Sequence, residues 1–284
     1  MNFWFSEPHT KHVRFQVEVE KQMFSRETDY QRIDLYTSPE FGKVLVLDGS
    51  ILLTEKDEFI YHEMIAHVPM AVHPNVRRVL IIGGGDGGTL REICRYPEIE
   101  RIDLVEMNEV LVKVAQKYLP KMATGFSDPR LHLIIENGLR YVRSTSELYD
   151  LIIVDSSDPF GSNESLFTRE FYGNCFKALN EGGILVNQHE SPYYKQDARV
   201  VREIHRNTKA VFPINRIYQV HIPTYPSGHW LFGFISKQLD PIANLDAARW
   251  NARVLKTRYY NTELHVGCFA LPNYVKKLLG DIGS

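Results

Sequence analysis

Val79-Leu80-Ile81-Ile82 runs into Gly83-Gly84-Gly85-Asp86-Gly87-Gly88-Thr89 and then into the helix-like segment from Leu90 to Arg95. A short apolar strand, a glycine turn and a helix, in that order, decide the fold class. Gly83, Gly85 and Gly88 satisfy G-x-G-x-x-G, the spacing that permits a tight turn, close approach of backbone to ligand and close helix packing. Asp86 stands in the middle of the turn. Such loops ordinarily offer bare N–H groups to an anionic pyrophosphate, and a carboxylate there repels one. The turn therefore suits a ligand with a nucleoside end and a positive charge.

Working outward, a second apolar strand, Ile102 to Val105, ends in Glu106. This acid lies about where the ribose-binding carboxylate of such folds sits, and it can accept from both ribose hydroxyls. In isolation it would read as a solvated strand-end acid; the glycine turn upstream favours the ligand role. Beyond it, helix and strand patterns alternate: helix Val110 to Tyr118, strand Leu131 to Ile135, helix Leu139 to Val142, strand Leu151 to Val154, helix Arg169 to Leu179, strand Ile184 to Asn187 and helix Gln196 to Phe212. Asn180-Glu181-Gly182-Gly183 reads as a helix stop. The alternation predicts parallel strands with helices on both faces. Ile217 to Ile222 and Trp230 to Ile235 lack a long helix between them and predict a closing antiparallel hairpin. The expected fold is α/β, a methyltransferase-like doubly wound sheet.

Upstream of the turn the pattern differs. Val13 to Val19 and Ile33 to Tyr36 alternate apolar and polar, and an Asp48-Gly49 turn separates Lys43 to Leu47 from Ile51-Leu52-Leu53. Residues 1–55 are expected to form a small antiparallel β-domain and residues 56–284 the catalytic domain. So small a sheet buries little core alone, so it should pack on the main domain or a partner subunit. From Asp57 a helical pattern puts Tyr61, Ile65 and Val68 on one face, with Pro69 and Pro74 marking its exit.

The bulk numbers exclude several classes. A chain of 284 residues, 44% hydrophobic and 24% charged, has room for one large α/β domain and a small accessory unit. A formal net charge of −2 with dispersed Lys and Arg gives no footprint for nucleic acid, and no apolar run is long enough to span a membrane. Met1-Asn2-Phe3-Trp4-Phe5 lacks the basic and apolar regions of a secretory signal. Cys94, Cys175 and Cys268 are odd in number and widely spaced, which predicts reduced thiols and a cytoplasmic protein. The His residues include no H-E-x-x-H, and no metal site is expected.

In open α/β sheets the ligand binds at the carboxyl ends of the strands. Those ends read Asp86, Glu106, Asn137-Gly138 and Asp155, the last continuing as Ser156-Ser157-Asp158-Pro159-Phe160-Gly161-Ser162. An Asx-turn or helix cap explains one Asp there but not two beside Asp86 and Glu106. Acids converging on one cleft repel one another unless the ligand carries positive charge. A diamine or a sulfonium nucleoside supplies it; a divalent cation is the competing explanation.

The motifs Gly83-Gly84-Gly85-Asp86-Gly87-Gly88, Asp57-Glu58-Phe59-Ile60-Tyr61-His62-Glu63-Met64, Asp155-Ser156-Ser157-Asp158-Pro159 and Ile222-Pro223-Thr224-Tyr225-Pro226-Ser227-Gly228 resemble those of the spermidine synthases, the polyamine aminopropyltransferases. The resemblance runs from Trp4 to Phe269-Ala270-Leu271-Pro272. It implies transfer of the aminopropyl group of decarboxylated S-adenosylmethionine to putrescine, giving spermidine and methylthioadenosine, with no cofactor. It further implies Asp155 as proton acceptor; Asp158, Asp86, His62 and Tyr61 on amine nitrogens; and Tyr225 along the amine tunnel. Gln31, Gly83, Gly85, Glu106, Asn137 and Gly138 would hold the nucleoside. The β-domain would be the interface of a homodimer or homotetramer.

Elementary chemistry agrees with that implication. The sulfonium is already a good leaving group. An alkylammonium with a pKa of about 10.4 is neutral to only about one part in 10³–10⁴ at pH 7. Asp155 cannot strip such a proton outright, but it can orient the nitrogen and take the proton as the C–N bond forms. Three positions depart from the family pattern. Position 137 is Asn where Asp usually accepts from the adenine amino group, position 162 is Ser where Pro is usual, and Asn108 replaces a common Asp. The competing functions are an S-adenosylmethionine-dependent methyltransferase, a non-catalytic polyamine or nucleoside binder, and a nicotinamide oxidoreductase. Asp86 beside Asp155 and Asp158 argues against the first, intact Asp155, Tyr61, His62 and Tyr225 against the second, and Asp86 in the turn against the third.

Overall fold

The computed structural model describes residues 3–156 and 165–280. The chain opens with two antiparallel sheets. Strands β1 (Phe3–Thr10) and β2 (Val13–Val19) pair with each other, and β3 (Lys21–Glu27), β4 (Arg32–Ser38), β5 (Gly42–Leu47) and β6 (Ser50–Thr54) form a meander in chain order. Asp48 and Gly49 both take positive φ, 50° and 87°, as a two-residue turn matched to strand twist requires, and they place Leu47 opposite Ser50.

Two strands lie outside those the alternation predicts. β3 is an edge strand with no buried residue, and β1 carries Pro8 where its pairing with β2 shifts register. Neither has to satisfy a buried face along its length, so neither shows a clean period of two.

The helix after this sheet, α1 (Glu58–Val72), ends between the two prolines expected to mark its exit and holds Pro69 inside it. The proline forfeits one intrahelical hydrogen bond. Yet α1 is buried on every side from Ile60 to Val72, so tertiary packing outweighs the break and the helix has no single apolar stripe.

The second part of the chain is a doubly wound sheet. Strands β7 (Arg78–Gly83), β8 (Arg101–Glu106), β9 (Leu131–Ile135), β10 (Tyr149–Asp155), β11 (Leu179–Glu190), β12 (Ile214–His221) and β13 (His229–Ser236) lie in the order β12-β13-β11-β10-β7-β8-β9. The five inner and β9-side strands are parallel, and β13 runs antiparallel to both neighbours. Alternate residues enter different cores: Val79, Ile81, Leu151 and Ile153 on one face, Leu80, Ile82, Ile152 and Val154 on the other. Strands buried on both faces read as continuous apolar runs, and these do.

Five helices alternate with these strands in the chain: α2 (Gly88–Cys94), α3 (Glu109–Tyr118), α4 (Gly138–Ser144), α5 (Arg169–Ala178) and α6 (Lys195–Lys209). α5 stops at Ala178 through an extended Leu179. Asn180 to Gly183 therefore lie in the irregular start of β11, where the pairing jumps from Leu179 to Ile184, and not in a glycine cap. Three short helices follow β13: α7 (Ala247–Asn251), α8 (Thr262–Cys268) and α9 (Asn273–Leu279).

The meander does pack on the main body. Ile33, Leu35 and Leu45 have no exposed surface and meet Leu111, Val114 and Leu119 around α3. Burial of such side chains is worth roughly 1.5–3 kcal/mol each. Strand order reverses between β7 and β10, the crevice where open α/β sheets bind ligands. The meander's β6 end reaches that crevice.

Candidate active site

The cleft at the strand reversal has an empty volume of about 1170 Å³, its mouth included, and it is lined by Asp155, His62, Asp86, Tyr61, Tyr225, Gln31, Gly83, Gly85, Glu106, Asn137 and Gly138. Asp158, the remaining predicted site residue, lies outside the described residues with Ser162. Gly83, the last residue of β7, pairs with Asp155, the last of β10, so the glycine turn and the acid share one strand-end ledge. Two glycines are fixed by close approach. A Cβ at Gly85 would stand 2.8 Å from Glu106 Oε2, and one at Gly88 would stand 2.2 Å from the His62 ring. The spacing read as a ligand turn is equally a requirement of α1 and β8 side chains.

At one end of the cleft the acids are held apart. Tyr61 donates its hydroxyl to Asp155 Oδ1 at 2.8 Å. Asp155 Oδ2 is buried with no hydrogen-bond partner among the described residues. Burial and the charge of Asp86 raise the Asp155 carboxyl to about 6, against the pull of His62, of the neighbouring Thr89 hydroxyl and of Tyr61. Asp86 accepts from the Gly88 N–H at 2.8 Å and faces His62 Nε2 at 3.2 Å. Burial works against its charge, but His62 and that N–H hold it below the usual carboxylate range.

His62 Nδ1 lies 2.6 Å from Glu58 Oε2, one helical turn back. Glu58 in turn takes a two-pronged contact from Arg91, at 2.8 and 2.9 Å. Although burial opposes it, the two carboxylates raise His62 to about 10, while His62 and Arg91 lower Glu58 to about 2.

His62, Asp86 and Asp155 bring one donor atom each within 4.8 Å of one another, a donor set that a divalent cation could use and that the sequence spacing did not reveal. In the arrangement present, however, both nitrogens of His62 face carboxylates, which is the geometry of a proton donor and not of a metal ligand.

At the other end Glu106 dominates. It is buried, and its Oε1 accepts the Asn108 N–H at 2.7 Å. Burial outweighs the surrounding backbone donors and lifts it to about 7. A ribose diol would supply the two donors this acid lacks. Asn108 caps α3 by accepting from Val110 N–H at 3.2 Å, and its amide donates to Thr28 Oγ1 at 3.1 Å. Thr28 closes the turn that carries Gln31 through bonds of 2.7 and 3.1 Å. Asn in place of Asp thus gains a donor that ties the β-meander to α3. Asn137 caps α4, its Oδ1 accepting from Arg140 N–H at 3.1 Å. Its acceptor oxygen is therefore shared with the helix before any base arrives.

The roof over the cleft joins Tyr225 to two residues, Asp57 and Gln188, to which the sequence assigned no role. Asp57 accepts from Thr54 Oγ1 at 2.6 Å, from Thr224 N–H at 3.0 Å and from Thr224 Oγ1 at 2.6 Å. It ties the 222–228 segment to the start of α1. Tyr225 spends its hydroxyl on Leu52 O at 2.7 Å and presents its ring to the cleft, edge-on to Trp230 with centroids 4.7 Å apart. Gln188 lines the same wall, pinned by the Trp230 indole N–H at 3.0 Å. Glu58 was visible within a quoted motif, and its i, i+4 spacing to His62 was the available signal. Gln188 had none beyond its place at the end of β11.

The cleft thus holds a buried acid, Glu106, at one end and a cluster of buried ionisable groups, Asp86, Asp155 and His62, at the other. Residues 58–246 match the spermine/spermidine synthase domain and residues 3–55 the spermidine synthase tetramerisation domain. The chain is 60% identical over 282 residues to a polyamine aminopropyltransferase of Clostridium perfringens, covering 99% of both. It is 58% identical over 279 residues to one of Alkaliphilus oremlandii, covering 98% of both. Among solved structures, it superposes with a TM-score of 0.96 on a spermidine synthase in complex with the transition-state analogue AdoDATO, at 44% identity, covering 99% of this chain and 96% of that one. The spermidine synthase from Thermotoga maritima gives 0.94 at 44% identity, with 99% and 95% covered. The chain belongs to the spermidine synthase family of polyamine aminopropyltransferases.

Proposed function

We propose that the enzyme moves the aminopropyl group of decarboxylated S-adenosylmethionine onto putrescine, yielding spermidine and methylthioadenosine. The observation that carries this reading is the Asp155 carboxylate. It is buried, raised to about 6 and oriented by Tyr61, and its Oδ2 makes no hydrogen bond among the described residues. Putrescine binds with its attacking nitrogen as the neutral amine, that proton having been left to solvent, and the nitrogen lone pair attacks the aminopropyl carbon attached to sulfur. The C–N bond forms as the C–S bond breaks, and the electron pair returns to sulfur to give a neutral thioether. The attacking nitrogen gains positive charge as it bonds, and the Asp155 carboxylate stabilises that charge and takes a proton from it, to be passed to solvent. Asp86 attracts the ammonium of the aminopropyl arm by a charge-assisted hydrogen bond, and Glu106 accepts from the ribose hydroxyls.

The reaction balances without an oxidant, reductant or metal. Asp158 belongs to the amine site in this proposal, by the family pattern. Residues 1–55 form the assembly module of a homotetramer, residues 56–284 the catalytic unit, and the enzyme works in the cytoplasm. No helix among the described residues is long and apolar enough to cross a membrane. The deciding assay incubates purified protein with decarboxylated S-adenosylmethionine and putrescine, cadaverine, agmatine or spermidine, and identifies products by mass. Spermidine formed fastest from putrescine supports the proposal. A faster reaction with another amine replaces the acceptor, and methyl transfer from S-adenosylmethionine replaces the reaction.

A further inference from the structure

His62 sits in the amine end of the cleft, where an ammonium needs acceptors. Its surroundings leave it none to offer. Nδ1 faces Glu58 Oε2 at 2.6 Å and Nε2 faces Asp86 Oδ1 at 3.2 Å. A neutral imidazole has one N–H and one lone pair, so it would set a lone pair against one of two carboxylate oxygens. Glu58 is locked in its ionised form by both prongs of Arg91, and Asp86 takes the Gly88 N–H on the same Oδ1 that faces His62. Two acceptors on opposite sides of the ring require two donors.

We infer that His62 is a fixed imidazolium in the resting enzyme, a positioning residue that turns Asp86 toward the substrate and is itself held by the Glu58–Arg91 pair. Both donors to Asp86 converge on Oδ1, which leaves Oδ2 for the substrate ammonium. The inference rests on the proposed reaction only for that last clause; the charge on His62 is a property of the empty cleft.

The groups facing the ring support it from every side. α1 supplies Glu58 and the neutral Tyr61, the glycine turn supplies Asp86, β10 supplies Asp155, and α2 supplies Arg91 and the Gly88 backbone. Three carboxylates against one guanidinium leave the neighbourhood short of positive charge, and an imidazolium reduces that deficit. Burial of the ring, at 2% exposure, keeps solvent from competing for either N–H. The close seat against Gly88, where a Cβ would fall 2.2 Å from the ring, blocks rotation to other partners.

Nitrogen-15 NMR of the imidazole side chains of the full-length, unliganded protein, titrated from pH 6 to pH 11, reads the charge directly. Both His62 nitrogens should stay in the protonated range through pH 8, with the midpoint above it. A neutral tautomer at pH 7 would overturn the inference, and this measurement needs no variant. Glu58→Gln keeps the shape but removes one acceptor charge. It should lower the His62 titration midpoint by about one unit or more. It should also raise KM for decarboxylated S-adenosylmethionine by about tenfold, with kcat changing less. An unmoved midpoint, or a loss confined to kcat, would count against the positioning role. Wild-type protein with a protonated His62 but no aminopropyl transfer would instead sink the proposed reaction and leave the imidazolium standing.

Discussion

Asp155 and Asp86 end up in one buried cleft with different assignments, because each is handed different partners. Asp86 receives a backbone N–H and a cationic ring; Asp155 receives a phenol and leaves Oδ2 unpartnered. In the proposed reaction that difference separates an ion-pairing acid from a proton acceptor. Asp155→Asn should therefore lower kcat by about 10²–10⁴-fold while methylthioadenosine binds almost as tightly as to wild type. Near-normal turnover would remove the base assignment. Burial first, then Asp86, raise the Asp155 carboxyl to about 6, and only its ionised form accepts a proton. Activity should accordingly fall as pH drops through about 6, and initial rates at saturating amine would show it. A profile flat down to pH 5 would contradict the assignment. Asp86→Asn removes the charge that, in the proposed reaction, selects an ammonium without a carboxylate. Calorimetric titration should then give a narrower preference for decarboxylated over ordinary S-adenosylmethionine than wild type has; an unchanged ratio would argue against that role. The strand-tip acids were legible in sequence because an apolar run ending in Asp or Glu announces its own C-terminal tip. The charge of His62 was not, since it depends on Arg91 of another helix fixing Glu58.

Elements that the sequence marked clearly are those with a buried stripe or face. β4 alternates because one side meets α3, whereas β5, β7 and β10 carry continuous apolar runs because both sides are covered. The remainder depended on contacts with no local period. Pro69 does not end α1, because the helix is surrounded by core. The helices α7 to α9 are too short to show a pattern, and their segment is held from afar: Glu63 on α1 accepts from the backbone N–H groups of Arg258, Tyr259 and Tyr260 at 2.8, 2.8 and 2.9 Å. The 222–228 roof segment depends likewise on Asp57. Asp57→Ala would leave the buried Thr224 N–H and hydroxyl without their acceptor, a loss of about 2–3 kcal/mol for hydrogen bonds to a charged group. Urea unfolding should show that drop in midpoint without a change in slope. KM for putrescine should rise as well, because the adjoining Tyr225 forms the cleft wall. A stability loss with KM unchanged would show that the staple does not govern the wall.

The cleft is built jointly by the meander and the doubly wound sheet, with Gln31, Ile51 and Leu52 on one side and Glu106, Gly138 and Asp155 on the other. A ligand filling it is therefore coupled to the stability of the whole molecule, and Glu106 sets how that coupling depends on pH. In the empty cleft burial raises its carboxyl from 4.5 to about 7. A carboxyl raised on folding binds more protons in the folded than in the unfolded state between those values. Its contribution to stability is thus fully present below pH 4.5 and is lost as pH climbs to about 7. At 1.36 kcal/mol per unit, the loss is about 3 kcal/mol. Ribose hydroxyls donating to the ionised acid lower its pKa again and remove that loss. Methylthioadenosine carries the ribose but no ammonium, so it reports on Glu106 while leaving the amine end untouched. Its affinity should rise as pH climbs toward about 7 and then level off, with a proton released on binding below that point. The gain in melting temperature at saturating ligand should be larger at pH 8 than at pH 5.5. Glu106→Gln, which has no proton to lose, should bind more weakly and flatten both trends. Scanning calorimetry of both proteins with and without ligand at the two pH values decides it. A wild-type gain equal at both would mean that Glu106 does not hold the ribose, and the nucleoside would have to be placed elsewhere in the cleft.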